Sequence, residues 1–160
     1  MPRPSSTSRP WAALALALVA CTPTASTDAP AGGQCDDFEL DVVKSWNDET
    51  RVALRAEVMH WHGEAELDLA KAHAEQVETS LDSFASDWVR MRKAACLDHF
   101  KRQTLDAARY QDRVDCLDQV LLRQRAVIQA TVAGEQTERE AFAALGAALD
   151  TCAGHHPPSE

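Results

Sequence analysis

The densest run of side chains able to do chemistry is His60-Trp61-His62-Gly63-Glu64-Ala65-Glu66-Leu67-Asp68. Imidazole beside carboxylate is a donor set suited to zinc or copper. On a continuous helix, His60 and His62 point in different directions. They converge only if the helix ends between them, as Gly63 allows. Without that convergence the run is a solvated helix end with a half-buried Trp61. No metal site is therefore assigned, with His60, His62 and Glu64 its weak candidates and His155-His156 able to bind metal only adventitiously. His73 and His99 read as isolated surface residues, and His155-His156 belong to a frayed end.

Catalytic signatures are not found. Asp36-Asp37 and Asp48-Glu49 are carboxylate pairs, but they fall near expected helix starts or exposed faces, where acids suit the helix dipole or solvent. Ser80, Ser83 and Ser86 share a polar helical stretch with no glycine elbow, and neither GxxxxGK[ST] nor GxGxxG occurs. The expectation is a non-enzyme without a cofactor. Trp88, Arg92 and Cys96 do step by four along one helix face, followed by Cys116-Leu117 and Arg123. Stacking of Arg92 on Trp88 beside a disulfide would brace a helical hairpin, a structural role.

The start of the chain decides what the cysteines mean. Arg3 and Arg9 precede an unbroken apolar run of ten residues, Trp11 to Ala20. That is well short of the roughly 20 residues that span a bilayer, and it fits the core of a secretion signal. The run ends Leu18-Val19-Ala20-Cys21, which resembles the lipobox of bacterial lipoproteins. The resemblance implies removal of residues 1–20 and acylation of Cys21 on its sulfur, diacylglycerol first, and on its new amino group, a palmitate-class anchor. Two or more chains hold firmly in a bilayer. Thr22 rather than Asp after the cysteine favours the outer membrane. Residues 21–34, small, polar and Pro/Gly-rich, read as the lipidated residue plus a flexible tether reaching roughly 20 Å.

Cleavage removes two arginines and no acid, so the net charge moves from −9 to −11, with 14 cationic against 25 anionic side chains. Such a domain is a poor partner for nucleic acid and for anionic headgroups. The membrane is reached through the lipid. With Cys21 acylated, Cys35, Cys96, Cys116 and Cys152 remain, and an exported compartment allows them to pair.

The folded part, 35–153, reads as helices, with 154–160 a disordered tail. Leu67, Ala70, Ala74, Val77, Leu81, Phe84, Trp88, Met91 and Ala95 alternate steps of three and four, one seam of a helix opened by Gly63 and running to about 102. An earlier helix, 37–60, carries Leu40, Val43, Trp46, Leu54, Val58 and Trp61. A third, 106–132, carries Val114, Leu117, Leu121, Ile128 and Val132 and stops at Gly134. A short fourth, 136–152, carries Phe142, Leu145, Leu149 and Cys152. Three long helices and one short one, closely connected, predict an all-α antiparallel bundle. Three disulfide connectivities are open. If the second and third helices turn near 106, Cys96 and Cys116 lie level, which favours Cys96–Cys116 with Cys35–Cys152. The latter would close a loop worth roughly 4–5 kcal/mol.

Cys35, Trp46, Arg51-Val52, Trp88-x3-Arg92-x3-Cys96, Cys116-Leu117 and Arg123, in that order, resemble the extracytoplasmic helical region of myxobacterial serine/threonine protein kinases. There the segment lies between the membrane helix and tetratricopeptide repeats. The likeness spans 35–152 and implies a fold and a compartment, with no catalytic residue. The Ser83–Ala126 stretch is also similar to lysozyme-inhibitor lipoproteins of the LprI kind.

The expected function is accordingly a lipid-anchored, periplasm-facing helical module that senses or contacts another envelope protein. Two alternatives are inhibition of a cell-wall hydrolase, since an acidic surface steers toward a basic lysozyme, and periplasmic metal binding.

Overall fold

The computed structural model describes residues 35–62, 66–135 and 139–153. The expected signal peptide, Cys21, the tether, Gly63, Glu64, His155, His156 and the tail lie outside them. The described residues form an all-α antiparallel bundle braced by two disulfides: α1 (Glu39–Val43), α2 (Asp48–His60), α3 (Leu67–Phe100), α4 (Ala107–Val132) and α5 (Arg139–Ala153). The two long central helices, α3 and α4, carry the others. α2 packs on both α3 and α4, and so does α5.

The helix expected over 37–60 is two helices. Asn47 adopts extended backbone at the N-cap of α2; its side chain accepts from the Thr50 N–H at 3.0 Å, and Thr50 Oγ1 accepts from the Asn47 N–H at 2.9 Å. This reciprocal cap starts a new helix, with Asp48 and Glu49 in its favourable first turn. The break also resets the helical phase. Val42 is buried, whereas Leu40 and Val43, expected in the core, are 64% and 53% exposed. Leu67 at the start of the α3 seam is likewise exposed; Ala70, Ala74, Val77, Leu81, Phe84, Trp88 and Ala95 are buried as the periodicity predicts.

Two connections follow local rules. Gly134, in the left-handed region at φ 86°, ends α4 with Glu135 N–H donating to the Ala130 carbonyl and Gly134 N–H to that of Thr131, the paired bonds of a Schellman stop. Between α3 and α4, Gln103 takes a positive φ of 54° without being glycine. Asp106 then caps α4 by accepting from the Arg109 N–H at 2.8 Å.

The disulfides correct the expectation. Cys35 joins Cys96 and Cys116 joins Cys152, not Cys96–Cys116 and Cys35–Cys152. The α3–α4 turn is centred short of residue 106, since α3 ends at 100 and α4 begins at 107. Cys116 is thereby carried more than a helical turn past the level of Cys96. Gly134 lies midway between Cys116 and Cys152, so those two are level across α4–α5. The α2–α3 connection lies midway between Cys35 and Cys96. Each bridge closes the open end of one hairpin.

Candidate functional site

α1 lies against α3 beside the Cys35–Cys96 bridge and is tied there by an ion pair, Lys93 Nζ to Asp36 at 2.7 Å. That contact holds the Asp36 carboxyl below, and the Lys93 ammonium above, their ordinary ranges. Because α1 is short and buries only Val42, its remaining apolar surface is left facing out. A groove of about 350 Å³ runs between the two helices, lined by Val42, Val43, Trp46, Ala85 and Val89, with Glu39 its one lining carboxylate. Exposed Leu40 sits one turn from Val43 on α1 and extends the apolar surface.

One end of the groove rests on a charge network. The Trp46 indole N–H donates to Asp82 Oδ1 at 2.8 Å, and Arg51 donates to both Asp82 oxygens at 2.6 and 3.0 Å. The Arg51 guanidinium also lies 4.4 Å from the Trp46 ring centroid, a cation–π contact. Arg55 grips Glu78 through two bonds of 2.7 and 2.6 Å. The hydrogen bond from Arg51 chiefly, with that from Trp46, holds the Asp82 carboxyl below the usual range against the opposing effect of burial. Arg51 and Arg55 are held above theirs by their carboxylate partners. These charges are spent on each other and fix Trp46 as the rigid wall of the groove.

Other predicted residues fall as follows. Trp88 is buried, and its indole N–H donates to the Leu117 carbonyl at 2.8 Å, joining α3 to α4. With the indole sunk into the core, Arg92 does not stack on it as expected. Arg92 faces α1 instead, 5.1 Å from the Phe38 ring centroid, and lies 3.6 Å from Asp118. Burial pushes the Asp118 carboxyl up in spite of Arg92. Arg123 is exposed rather than holding the hairpin. Arg125, two residues on, faces inward and donates to the Asp41 carbonyl at 2.8 Å.

The histidines also rearrange. His60 is exposed, so it does not converge with His62. His62 Nε2 lies 2.9 Å from Nδ1 of His73, which is buried rather than on the surface. Glu66 stands 3.6 Å from His62 Nδ1. His99 is half-buried, with Nδ1 2.8 Å from the Leu105 carbonyl and its ring stacked on Tyr110. Among the described residues no group of three or more His, Cys, Asp or Glu could hold a metal ion. None of the described helices is long and apolar enough to cross a membrane. The groove itself escaped sequence reading. Its signal was the Asn47-x-x-Thr50 spacing, which breaks the first helix and turns Leu40 and Val43 outward.

No protein-family model, curated protein or solved structure matches the chain.

Proposed function

We propose that the protein is a lipid-anchored, non-catalytic contact module of the bacterial outer membrane, and that it engages an apolar segment of another envelope protein in the groove between α1 and α3. The observation that carries the reading is the unpartnered apolar surface of Leu40 and Val43 above a groove walled by a braced Trp46. Aromatic anchors set in rigid, apolar pockets are where interface energy concentrates. Support for the anchor comes from the Leu18-Val19-Ala20-Cys21 pattern and the basic, apolar stretch before it.

The test is site-specific photo-crosslinking in intact cells. A photoreactive residue at Val43 is expected to give one discrete adduct with an envelope protein. The same residue at Val52, a still more exposed apolar position on α2 away from the groove lining, is expected not to. Equal labelling from both positions, or none from Val43, refutes the groove as the contact face. Intact mass of the native protein tests the anchor separately: an unacylated Cys21 rejects it.

A further inference from the structure

A second cleft, on the other side of the α1–α2 turn, has the opposite character. It measures about 250 Å³ and is lined by Lys44, Ser45, Thr50, Arg125, Ile128 and Gln129. On a chain with net charge −9, both titratable residues lining it are cations. Two other clefts among the described residues each carry a carboxylate, Glu39 beside α1 and Asp87 between α3 and α5. A cationic concavity on an acidic domain focuses anions that the rest of the surface repels.

Its donors are only partly used. Arg125 spends one η nitrogen on the Asp41 carbonyl at 2.8 Å, while its Nε, shielded from solvent, has no hydrogen-bond partner among the described residues. Lys44 Nζ makes one contact, 2.7 Å to Asp41 Oδ1, in an exposed pair. Exposed pairs of this kind are weak and exchangeable. The hydroxyls are committed: Ser45 donates within hydrogen-bond reach of the Val42 carbonyl and Gln124 Oε1, and Thr50 belongs to the α2 cap. Binding strength must therefore come from the guanidinium, the ammonium and the exposed Gln129 amide. Ile128 supplies an apolar wall.

We propose that this cleft binds a small carboxylate with a short apolar stem, its carboxylate held by Arg125 and Lys44 in competition with Asp41. Guanidinium presents a planar fork matched to carboxylate geometry, and Ile128 favours a stem over a bare ion. The site is independent of the groove between α1 and α3, and its failure would leave the proposed function untouched.

Amide-resolved NMR of the full chain in detergent, titrated with sodium butyrate at constant ionic strength, tests it. Saturable shifts are expected around Lys44, Ser45, Arg125 and Gln129, with sodium chloride giving none. Arg125→Gln is expected to weaken butyrate about tenfold. Lys44→Gln, an exposed change that leaves the fold intact, should weaken it about threefold. Asp41→Asn removes the competitor and should tighten it by a similar factor. Shifts that fail to saturate, or unchanged affinity in both Lys44→Gln and Asp41→Asn, overturn the proposal. Inorganic phosphate binding more tightly than butyrate overturns the carboxylate assignment.

Discussion

Asp82 is the acceptor on which Trp46 and Arg51 both depend, and its two debts differ in size. Trp46 is only 6% exposed, so an indole N–H deprived of Asp82 finds little water. A buried donor left unmet costs about 1–3 kcal/mol. The Arg51–Asp82 pair is far wetter, with side-chain exposures of 33% and 52%, and is worth no more than about 1 kcal/mol. Asp82→Ala should therefore destabilise by about 1–4 kcal/mol. Asp82→Asn keeps an oxygen for Trp46 and should lose at most about 1 kcal/mol. Urea unfolding with the bridges intact, followed by tryptophan fluorescence, reads both. The carboxyl is lower folded than unfolded, chiefly through the Arg51 hydrogen bond. Its stabilisation is then complete above the unfolded value and is lost as pH falls through the folded one. The gap between wild type and Asp82→Asn should be full at neutral pH, shrink below about pH 4 and close in stronger acid. An Asp82→Ala cost within ~0.5 kcal/mol of zero refutes the account of Trp46. A gap that ignores pH refutes the account of Arg51.

Two further outcomes are expected. Non-reducing tryptic mapping should join the peptide 94–101 to the one ending at Lys44, and 114–123 to 140–160, since each of these carries one of the four cysteines; a 94–101 to 114–123 species contradicts the structure. By loop entropy each bridge contributes about 4 kcal/mol, so removing either pair should lower stability by similar amounts, readable in the same urea assay. Gln124, fully buried, accepts from Ser45 at 3.0 Å, while its Nε2 has no hydrogen-bond partner among the described residues. Gln124→Met frees the core of that amide, and Ser45 keeps the Val42 carbonyl; thermal melting should show a gain of about 1 kcal/mol, and a loss of that size would mean the amide is paired.

The fold class and most of the core were legible because helical periodicity survives wherever a helix is long. The α3 seam is read correctly from Ala70 to Ala95, and Gly134 correctly ends α4. Short-range chemistry was harder to see. The Asn47–Thr50 cap uses threonine where glutamate or glutamine is the usual third partner, so an apolar pattern continued across it in the sequence while the chain did not. That single break misplaced Leu40 and Val43 and hid the groove. Side-chain direction was the other blind spot. Trp88 and Arg92 share a helix face by spacing, yet the indole reaches α4 for the Leu117 carbonyl while the guanidinium reaches Phe38. Spacing places Cα atoms; it does not choose between partners on two neighbouring helices. His73 illustrates the same limit, since nothing along α3 announces that His62 meets it from the α2–α3 connection.

The disulfide pairing is instructive because the rule used to predict it was sound and the hairpin was wrong. Level partners on antiparallel helices sit equidistant from their turn. Across α3–α4 the observed contacts are Trp88 with Leu117, Arg92 with Asp118 and His99 with Tyr110. Their midpoints fall between 102 and 105, which puts the level of Cys96 near Asp112, a full turn short of Cys116. Applied to Gly134, the same rule pairs Cys116 with Cys152. Applied to the α2–α3 connection, it pairs Cys35 with Cys96. The consequence is mechanical. Each bridge staples one half of the bundle, and among the described residues no covalent bond besides the 101–106 connection holds the halves together. Their union rests on packing, on the Trp88–Leu117 hydrogen bond, and on contacts from α1 and α2 to α4 such as Arg125 to the Asp41 carbonyl. Both surfaces proposed to bind ligands flank α1, a five-residue helix stapled through Cys35 to α3 in its own half and joined to α4 in the other by the Arg125–Asp41 hydrogen bond.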